Sequence, residues 1–229
     1  MKTTKKIRAK NTNAFTMIEL ILILIVIALL AALSVPRLER DIRQEAASNI
    51  VSALRYTKHM ALIDNVMDLN RNNTWQRAFW TLGFQKCSDN GLFYYIASDK
   101  SQEGNIDANE TFIDPANGLP MMGSNSAPCR YSTNNNASPN IFISKLYGIT
   151  DPNGITLTCG SSGSTAKYIG FDRMGRPHRG YAGNSGSTTP DYSTVLHQDC
   201  NLTLHFDDPA LDDVNITIEK ITGRISYSL

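Results

Sequence analysis

The chain has 229 residues, of which 41% are hydrophobic and 19% are charged, and its formal net charge is +1 at pH 7. This length is enough for an N-terminal stalk and one compact domain of about 150 residues. The near-balance of charges excludes a strongly basic, general nucleic-acid-binding protein.

The first 14 residues form a short basic leader. It carries no acidic residue, and an excess of Lys and Arg keeps such a segment on the cytoplasmic side of a membrane. We therefore expect the C-terminal body to lie on the opposite side. A removable secretory signal is the alternative, with a weaker cleavage site at Ala32-Leu33-Ser34. The basic residues are Lys2, Lys5, Lys6, Arg8 and Lys10.

An almost uninterrupted apolar run extends from Thr16 to Val35. As a helix, its 20 residues cover about 30 Å, the thickness of a hydrocarbon core, which predicts a transmembrane segment. Glu19 lies inside this run, and an unpaired carboxylate at mid-depth costs roughly 3 kcal/mol. The sequence therefore predicts a partner for Glu19.

The stretch Ala14-Phe15-Thr16-Met17-Ile18-Glu19 resembles the class III (prepilin) leader of the type IV pilin-like family. In that family a prepilin peptidase cleaves just before a Phe and methylates the new N-terminus. The resemblance implies cleavage between Ala14 and Phe15 and N-methylation of Phe15. Ala14 stands where Gly is usual, and Met17 where Leu is usual.

Cleavage would create an α-amino group at Phe15, and this cation could pair with Glu19 of a neighbouring subunit. The cost of burying the two charges would then be offset only upon assembly. The alternative is that Glu19 belongs to a single-pass anchor and reaches the membrane surface alone.

The apolar pattern changes at Pro36, where related pilins often bend the long helix. From Leu38 to Ala61, apolar residues recur at spacings of three and four, which predicts a helix with one face on a core. The expected parts are a cleaved leader at 1–14, a transmembrane half-helix at 15–35, an amphipathic half-helix at 36–70 and a globular β-rich domain at 74–229.

After Thr74, short aromatic and β-branched runs bounded by turns predict strands. We expect an α+β fold in which a long N-terminal helix, transmembrane in its first half and core-packed in its second, lies on a mostly antiparallel β-sheet. The predicted strands are 78–84, 92–96, 141–146, 155–159, 167–171, 202–206, 216–219 and 224–227.

The body resembles one subgroup of the family, the H-type minor pseudopilins of type II secretion and the FimT-like minor pilins. The matching stretches are the aromatic residues of 75–84, a loop with Asp and Gly near residue 100, Ile169-Gly170-Phe171 with Gly175, and 216–225. The resemblance implies a minor structural subunit that helps to initiate or cap a type II secretion pseudopilus or a type IV pilus. The alternative is a pilus-tip module that binds DNA during natural transformation or adheres to a surface.

The resemblance also implies a location and partners. The location is the bacterial inner membrane, crossed once, with the C-terminal domain in the periplasm and the chain incorporated into a pilus or pseudopilus. The partners are other pilins or pseudopilins through the N-terminal helix, the prepilin peptidase and the inner-membrane assembly platform.

Four cysteines lie in the predicted body, and an even number in an oxidising compartment predicts two disulfides. The sequence has no Cys-x-x-Cys pair that would indicate a zinc ribbon or a thioredoxin-like centre. Three pairings are open. We favour Cys87–Cys129 and Cys159–Cys200, because each closes a separate region of sequence; four buried free thiols are the alternative.

Residues 99–110 have the spacing of a calcium-binding loop, with an acid first, Gly sixth and Glu twelfth. Ser101 and Glu103 depart from the preferred Asp or Asn at the third and fifth places. A solvated acidic hairpin is the alternative, and no other cofactor is expected. The candidate ligands are Asp99, Ser101, Glu103, Asn105, Asp107 and Glu110.

A basic segment at 173–179 contains three arginines and one histidine. Arg173, Arg176 and Arg179 are candidate contacts to DNA phosphates, and such binding would weaken steeply with salt. A solvated turn or a subunit contact is the alternative.

Catalysis is not expected. The four histidines are scattered, and the sequence contains no His-Glu-x-x-His, Gly-x-Ser-x-Gly or phosphate-binding Gly-Lys-Ser/Thr motif. The sequence therefore favours a structural or binding protein over an enzyme.

Overall fold

Two units divide the chain, Met1–Asp41 and Ile42–Leu229. The predicted leader and Phe15 lie outside the described residues. A computed structural model describes residues 16–66, 73–103, 106–130, 136–159, 167–180 and 192–229, with the side chains of 32–41, 73–74 and 108 outside that description.

Helix α1 extends over Met17–Ile63. In the second unit, its small and branched residues Ala46, Ile50, Ala53 and Leu54 are buried. Their spacing of three and four residues places them on one face of the helix, as the sequence predicts for this half. Thr57 continues this buried face and bonds back to the carbonyl oxygen of Ala53 at 2.8 Å.

Within the described residues, eight strands form two antiparallel sheets of four. One sheet has the order β2-β1-β4-β5 and the other β3-β6-β7-β8. The strands are β1 Trp80–Lys86, β2 Leu92–Ala97, β3 Ile155–Leu157, β4 Lys167–Phe171, β5 Pro177–His178, β6 Cys200–Leu204, β7 Val214–Ile218 and β8 Ile225–Ser228.

The first sheet is covered on both faces at its β2 strand. Every residue of β2 is buried, as its unbroken apolar run indicates. Gly83 of β1 lies directly opposite Tyr95 of β2, and the Tyr95 ring occupies the space where a side chain at Gly83 would begin. Glycine is therefore required at position 83 because the Tyr95 ring approaches its backbone closely, and not because of its backbone conformation.

The second sheet is one-sided. Strands β6 and β7 alternate buried and more exposed residues, so that one face carries Leu202, Leu204 and Ile216 into the core while the other faces solvent. These residues belong to the same buried cluster as Leu82 and Ile96 of the first sheet. One core therefore joins both sheets within the second unit.

The predicted strand at 141–146 is wrong. Its place is taken by a 3₁₀ turn, Pro139–Ile141, followed by helix α2, Ile143–Tyr147. The hydroxyl of Ser138 accepts the backbone N–H of Asn140, and Gly148 ends α2 in the left-handed conformation (φ 66°). These local signals favour a helical segment more strongly than the apolar run favours a strand. Each of the other predicted strands overlaps a strand of the structure.

The predicted fold class needs correction. The strands form two sheets instead of one, because β3 and β6–β8 pair with one another and not with β1, β2, β4 and β5. A transmembrane half-helix is also wrong: across the described residues, no helix is both long and apolar enough to cross a membrane. Crossing needs about 20 consecutive, predominantly apolar residues. The predicted single-pass location in the inner membrane is overturned by the same finding.

Candidate assembly interface

Helix α1 begins at a Thr-x-x-Glu sequence. The backbone N–H of Glu19 lies 3.4 Å from the hydroxyl of Thr16, and the backbone N–H of Thr16 lies 3.5 Å from the Glu19 carboxylate. These long, reciprocal contacts have the arrangement of a capping box, in which each side chain supports the other residue's N–H. Glu19 therefore has a local role at the start of the helix that the sequence reading missed.

The residues that follow are apolar on all sides of the helix and are exposed. Every described residue from Thr16 to Ala31 is exposed, and the large apolar side chains from Met17 to Leu30 keep between 44% and 81% of their surface. An exposed apolar surface of this extent marks an interaction site, because a helix that is hydrophobic all round is normally buried. The predicted processing residues Ala14 and Phe15, just before it, lie outside the described residues.

Both favoured disulfides are present. Cys87 pairs with Cys129 across 42 residues, and Cys159 pairs with Cys200 across 41 residues. The first pair lies at the end of β1 and is fully buried, and the second joins the chain after β3 to the start of β6. In the chain-entropy model, each loop closure contributes on the order of 4 kcal/mol.

The predicted calcium loop is organised around the buried Glu110. Its carboxylate accepts the backbone N–H of Ser101 at 2.6 Å and of Asp107 at 3.0 Å. Burial alone would raise the pKa of Glu110, but the hydrogen bonds from the Asp107 and Ser101 backbone outweigh it and lower the pKa. Glu110 thus already has donors that hold the loop closed.

The other predicted calcium ligands are spread over that loop. Asp99 is buried and accepts the Ser101 hydroxyl at 3.1 Å, whereas Glu103 and Asp107 are exposed. Asn105 lies outside the described residues. Within the described ranges, the His, Cys, Asp and Glu side chains of 99–110 do not gather into a group close enough to hold a metal ion together. Calcium binding stays a prediction.

The basic segment is partly neutralised by Asp172, which sequence reasoning missed. The Arg176 guanidinium donates to the Asp172 carboxylate at 2.7 Å and lies 5.4 Å from the centre of the Tyr192 ring. Burial by itself would raise the pKa of Asp172. Hydrogen bonds from His178 and Arg176, with the charge of Arg176, lower that pKa to about 2.

His178 is fully buried rather than part of a surface patch. One ring nitrogen lies 2.9 Å from the hydroxyl of Thr194, the other lies 3.4 Å from Asp172, and its ring packs 4.9 Å from that of Phe79. Arg173 and Arg179 are exposed. The structure therefore separates the predicted DNA contacts into one ion-paired and two exposed arginines, and DNA binding stays a prediction.

A second feature absent from the sequence reading is a groove along α1. Glu45, Asn49 and Tyr56 line one side, and Phe112 and Asp114 lie among the residues opposite. The helical spacing of Glu45, Asn49 and Tyr56 was the available signal, since it places these larger residues on a face directly beside the row of buried residues. Their partners come from distant parts of the chain and carry no local signal.

No family model, curated protein or solved structure matches this chain.

Proposed function

We propose that the chain is a minor structural subunit of a filament of the type IV pilin class, which helps to initiate or cap a type II secretion pseudopilus or a type IV pilus. The observation that carries this proposal is the exposed apolar surface of α1 from Met17 to Leu30. In the filament, the equivalent N-terminal helices of other subunits cover this surface.

The globular unit does not need this surface for its own stability. Among the residues whose side chains the structure describes, the buried core cluster begins at Ala46 of α1 and includes residues of both sheets and α2, all within the unit Ile42–Leu229. Water-exposed apolar area of this size favours association. Helix packing against like helices buries such a surface all round.

In this proposal, Glu19 fixes the alignment of neighbouring helices along the bundle. In an apolar bundle of helices, a carboxylate needs a cation, and the α-amino group of a processed neighbour, beginning at Phe15, provides it. A charge left without its partner in such a bundle is strongly unfavourable, so misaligned packing is disfavoured.

Site-specific photo-cross-linking in the full-length chain tests the interface. A photoreactive amino acid at Ile25, which is 54% exposed, is expected to form adducts with pilin-like subunits in cells that make the filament. The matched control is Leu229, which is 52% exposed but lies in the globular unit, and no such adducts are expected there. Equal adducts at both positions, or none at Ile25, would contradict the proposal.

The role of Glu19 is tested by Glu19→Gln. Glutamine still supports a capping box but carries no charge, so it separates the local role from the assembly role. We expect the amount of the chain in sheared filaments to fall at least about tenfold, since loss of a charge partner in an apolar site costs more than about 1.4 kcal/mol. Unchanged incorporation would show that Glu19 serves only to start the helix.

A further inference from the structure

An open groove of about 460 Å³ lies wholly within the unit Ile42–Leu229. This volume is within the range of about 300–1,000 Å³ that is common for ligand sites. Residues of α1 form one wall, β2 contributes Tyr94 and Ile96, and Phe112 and Asp114 contribute to the remaining wall. The groove is therefore large enough to enclose a side chain or a small organic molecule.

Aromatic rings supply most of the large surfaces in the groove. Tyr56 and Phe112 lie with ring centres 5.7 Å apart at an angle of 37°. Burial, followed by the charge of Glu45, raises the pKa of Tyr147 to about 12, and burial likewise raises the pKa of Tyr94. Both phenols are neutral at pH 7, and the face of a neutral phenol ring is electron-rich and attracts cations.

The polar groups of the groove offer negative charge and hydrogen-bond acceptors. Asp114 is buried, and its carboxylate accepts the side chains of Ser138, Asn140 and Asn117 and a backbone N–H. That network keeps the pKa of Asp114 low although burial raises it, so the groove contains a fixed negative charge. Glu45 adds a second carboxylate at the exposed rim.

Asn49 adds an acceptor without a donor. Its side chain bonds to the Tyr147 phenol, while its Oδ1 is buried and has no hydrogen-bond partner within the described part of the chain. Because this oxygen is buried, a ligand N–H supplies the missing donor when the Asn49 side chain turns toward the groove. Among the described residues that line the groove there is no Lys, Arg or His. A cationic ligand would supply both the hydrogen-bond donor and the positive charge that these lining residues lack.

We propose that this groove binds an organic cation, a guanidinium or alkylammonium group on an apolar stem. The cation lies between the Glu45 carboxylate and Oδ1 of Asn49, and the stem lies against Tyr56, Phe112 and Tyr147. The same chemistry is available in a free small molecule and in the Arg or Lys side chain of a protein.

Titration calorimetry on the full-length chain, kept in a non-ionic detergent that covers the exposed apolar helix, tests this inference. The probes are N-acetyl-arginine amide and its neutral analogue of the same shape, N-acetyl-citrulline amide. We expect the arginine compound to bind about tenfold or more tightly, because hydrogen bonds to a charged group contribute about 1.5–3 kcal/mol and 1.4 kcal/mol is tenfold. Equal affinity, or no binding of either compound, would overturn the proposal.

Single-residue variants test whether the arginine compound binds in the groove. Glu45→Gln removes a charge at an exposed position and should weaken binding of the arginine compound by up to about fivefold. Asn49→Ala should weaken it about tenfold. The control Asp208→Asn changes an exposed carboxylate that does not line the groove, and the affinity of this variant for the arginine compound should equal that of the unmodified chain. An unchanged affinity in Glu45→Gln and Asn49→Ala would contradict the assignment.

A second comparison tests whether the cation belongs to a protein side chain or to a free small molecule. The blocked peptide Gly-Gly-Arg-Gly-Gly is compared with the single amino-acid amide under the same conditions. Tighter binding of the peptide supports a protein side chain as the occupant, and tighter binding of the amide supports a free small molecule.

Discussion

At the scale of single residues, Asp172 shows how a buried charge is stabilised. Its carboxylate accepts the backbone N–H groups of Met174 and Arg176, both at 2.9 Å, in addition to the guanidinium of Arg176. Gly175 allows the tight turn between these residues by its left-handed backbone (φ 74°). Through these contacts, Asp172 stabilises the β4–β5 hairpin and the position of the buried His178.

We expect Asp172→Asn to lower the free energy of unfolding by about 2 kcal/mol at pH 7, which corresponds to the fall in pKa from 3.8 to about 2. Because the folded-state pKa is depressed, this contribution is complete above the unfolded-state pKa and is lost as the pH falls through the folded-state value. The difference between variant and unmodified chain should therefore shrink between about pH 4 and pH 2, as measured by urea unfolding at each pH. Replacement of the exposed Asp208 by Asn is the control; a difference independent of pH would contradict the expectation.

At the scale of secondary-structure elements, the pairing of β1 with β2 depends on one glycine. Gly83 faces Tyr95 across the pair, and the buried ring of Tyr95 covers it. Cross-strand pairs of this kind contribute to sheet stability through contact between directly opposite residues. The β1–β2 pair is also fixed at its far end, because Cys87 follows β1 directly and bonds to Cys129.

We expect Gly83→Ala to lower the free energy of unfolding by about 1–3 kcal/mol, since the methyl group must displace the Tyr95 ring in a packed core. The measurement is chemical unfolding followed by circular dichroism. Gly180→Ala is the matched control, because among the described residues its added carbon would meet only the Tyr168 hydroxyl, at an ordinary 3.5 Å. A Gly83→Ala variant as stable as the Gly180→Ala control would show that the ring moves aside without cost.

At the scale of the whole molecule, the chain combines an exposed apolar segment with a unit that carries its own core. Within Ile42–Leu229, one buried cluster includes residues of α1, α2 and both sheets, and two disulfides close loops of similar length. No residue from Thr16 to Ala31 is buried. Stability and association are therefore assigned to different parts of the chain.

We expect a fragment of residues 42–229, produced under oxidising conditions, to unfold cooperatively within about 5 °C of the full-length chain, because it retains the whole core. A fragment of residues 65–229 is the control. It lacks the buried side chains of Ala46, Ile50 and Leu54 and should not unfold cooperatively. Calorimetry distinguishes the two, and a cooperative transition in the shorter fragment would show that α1 is dispensable for the core.

Local patterns in the sequence were sufficient where the determining interactions are short-range. The apolar spacing of Ala46, Ile50 and Leu54 predicted a core-packed helix face, and the aromatic run at 92–96 predicted β2, since each pattern depends only on the period of its own element. The disulfide pairing followed from two separate regions each containing two cysteines. The strand predicted at 141–146 failed although Ser138 and Gly148 marked the boundaries of a helical segment.

Tertiary structure alone decided what distant residues form together. The division of the strands into two sheets depends on pairing between β3 and β6, which are far apart in sequence, and no period within either strand specifies it. The groove brings Asn49 of α1 beside Tyr147 of α2, and the hydrogen bonding of Asp172 removes Arg176 from the predicted basic patch. Composition and periodicity determine which faces of an element are buried, but the charges and acceptors that meet in a site are set only when the chain has packed.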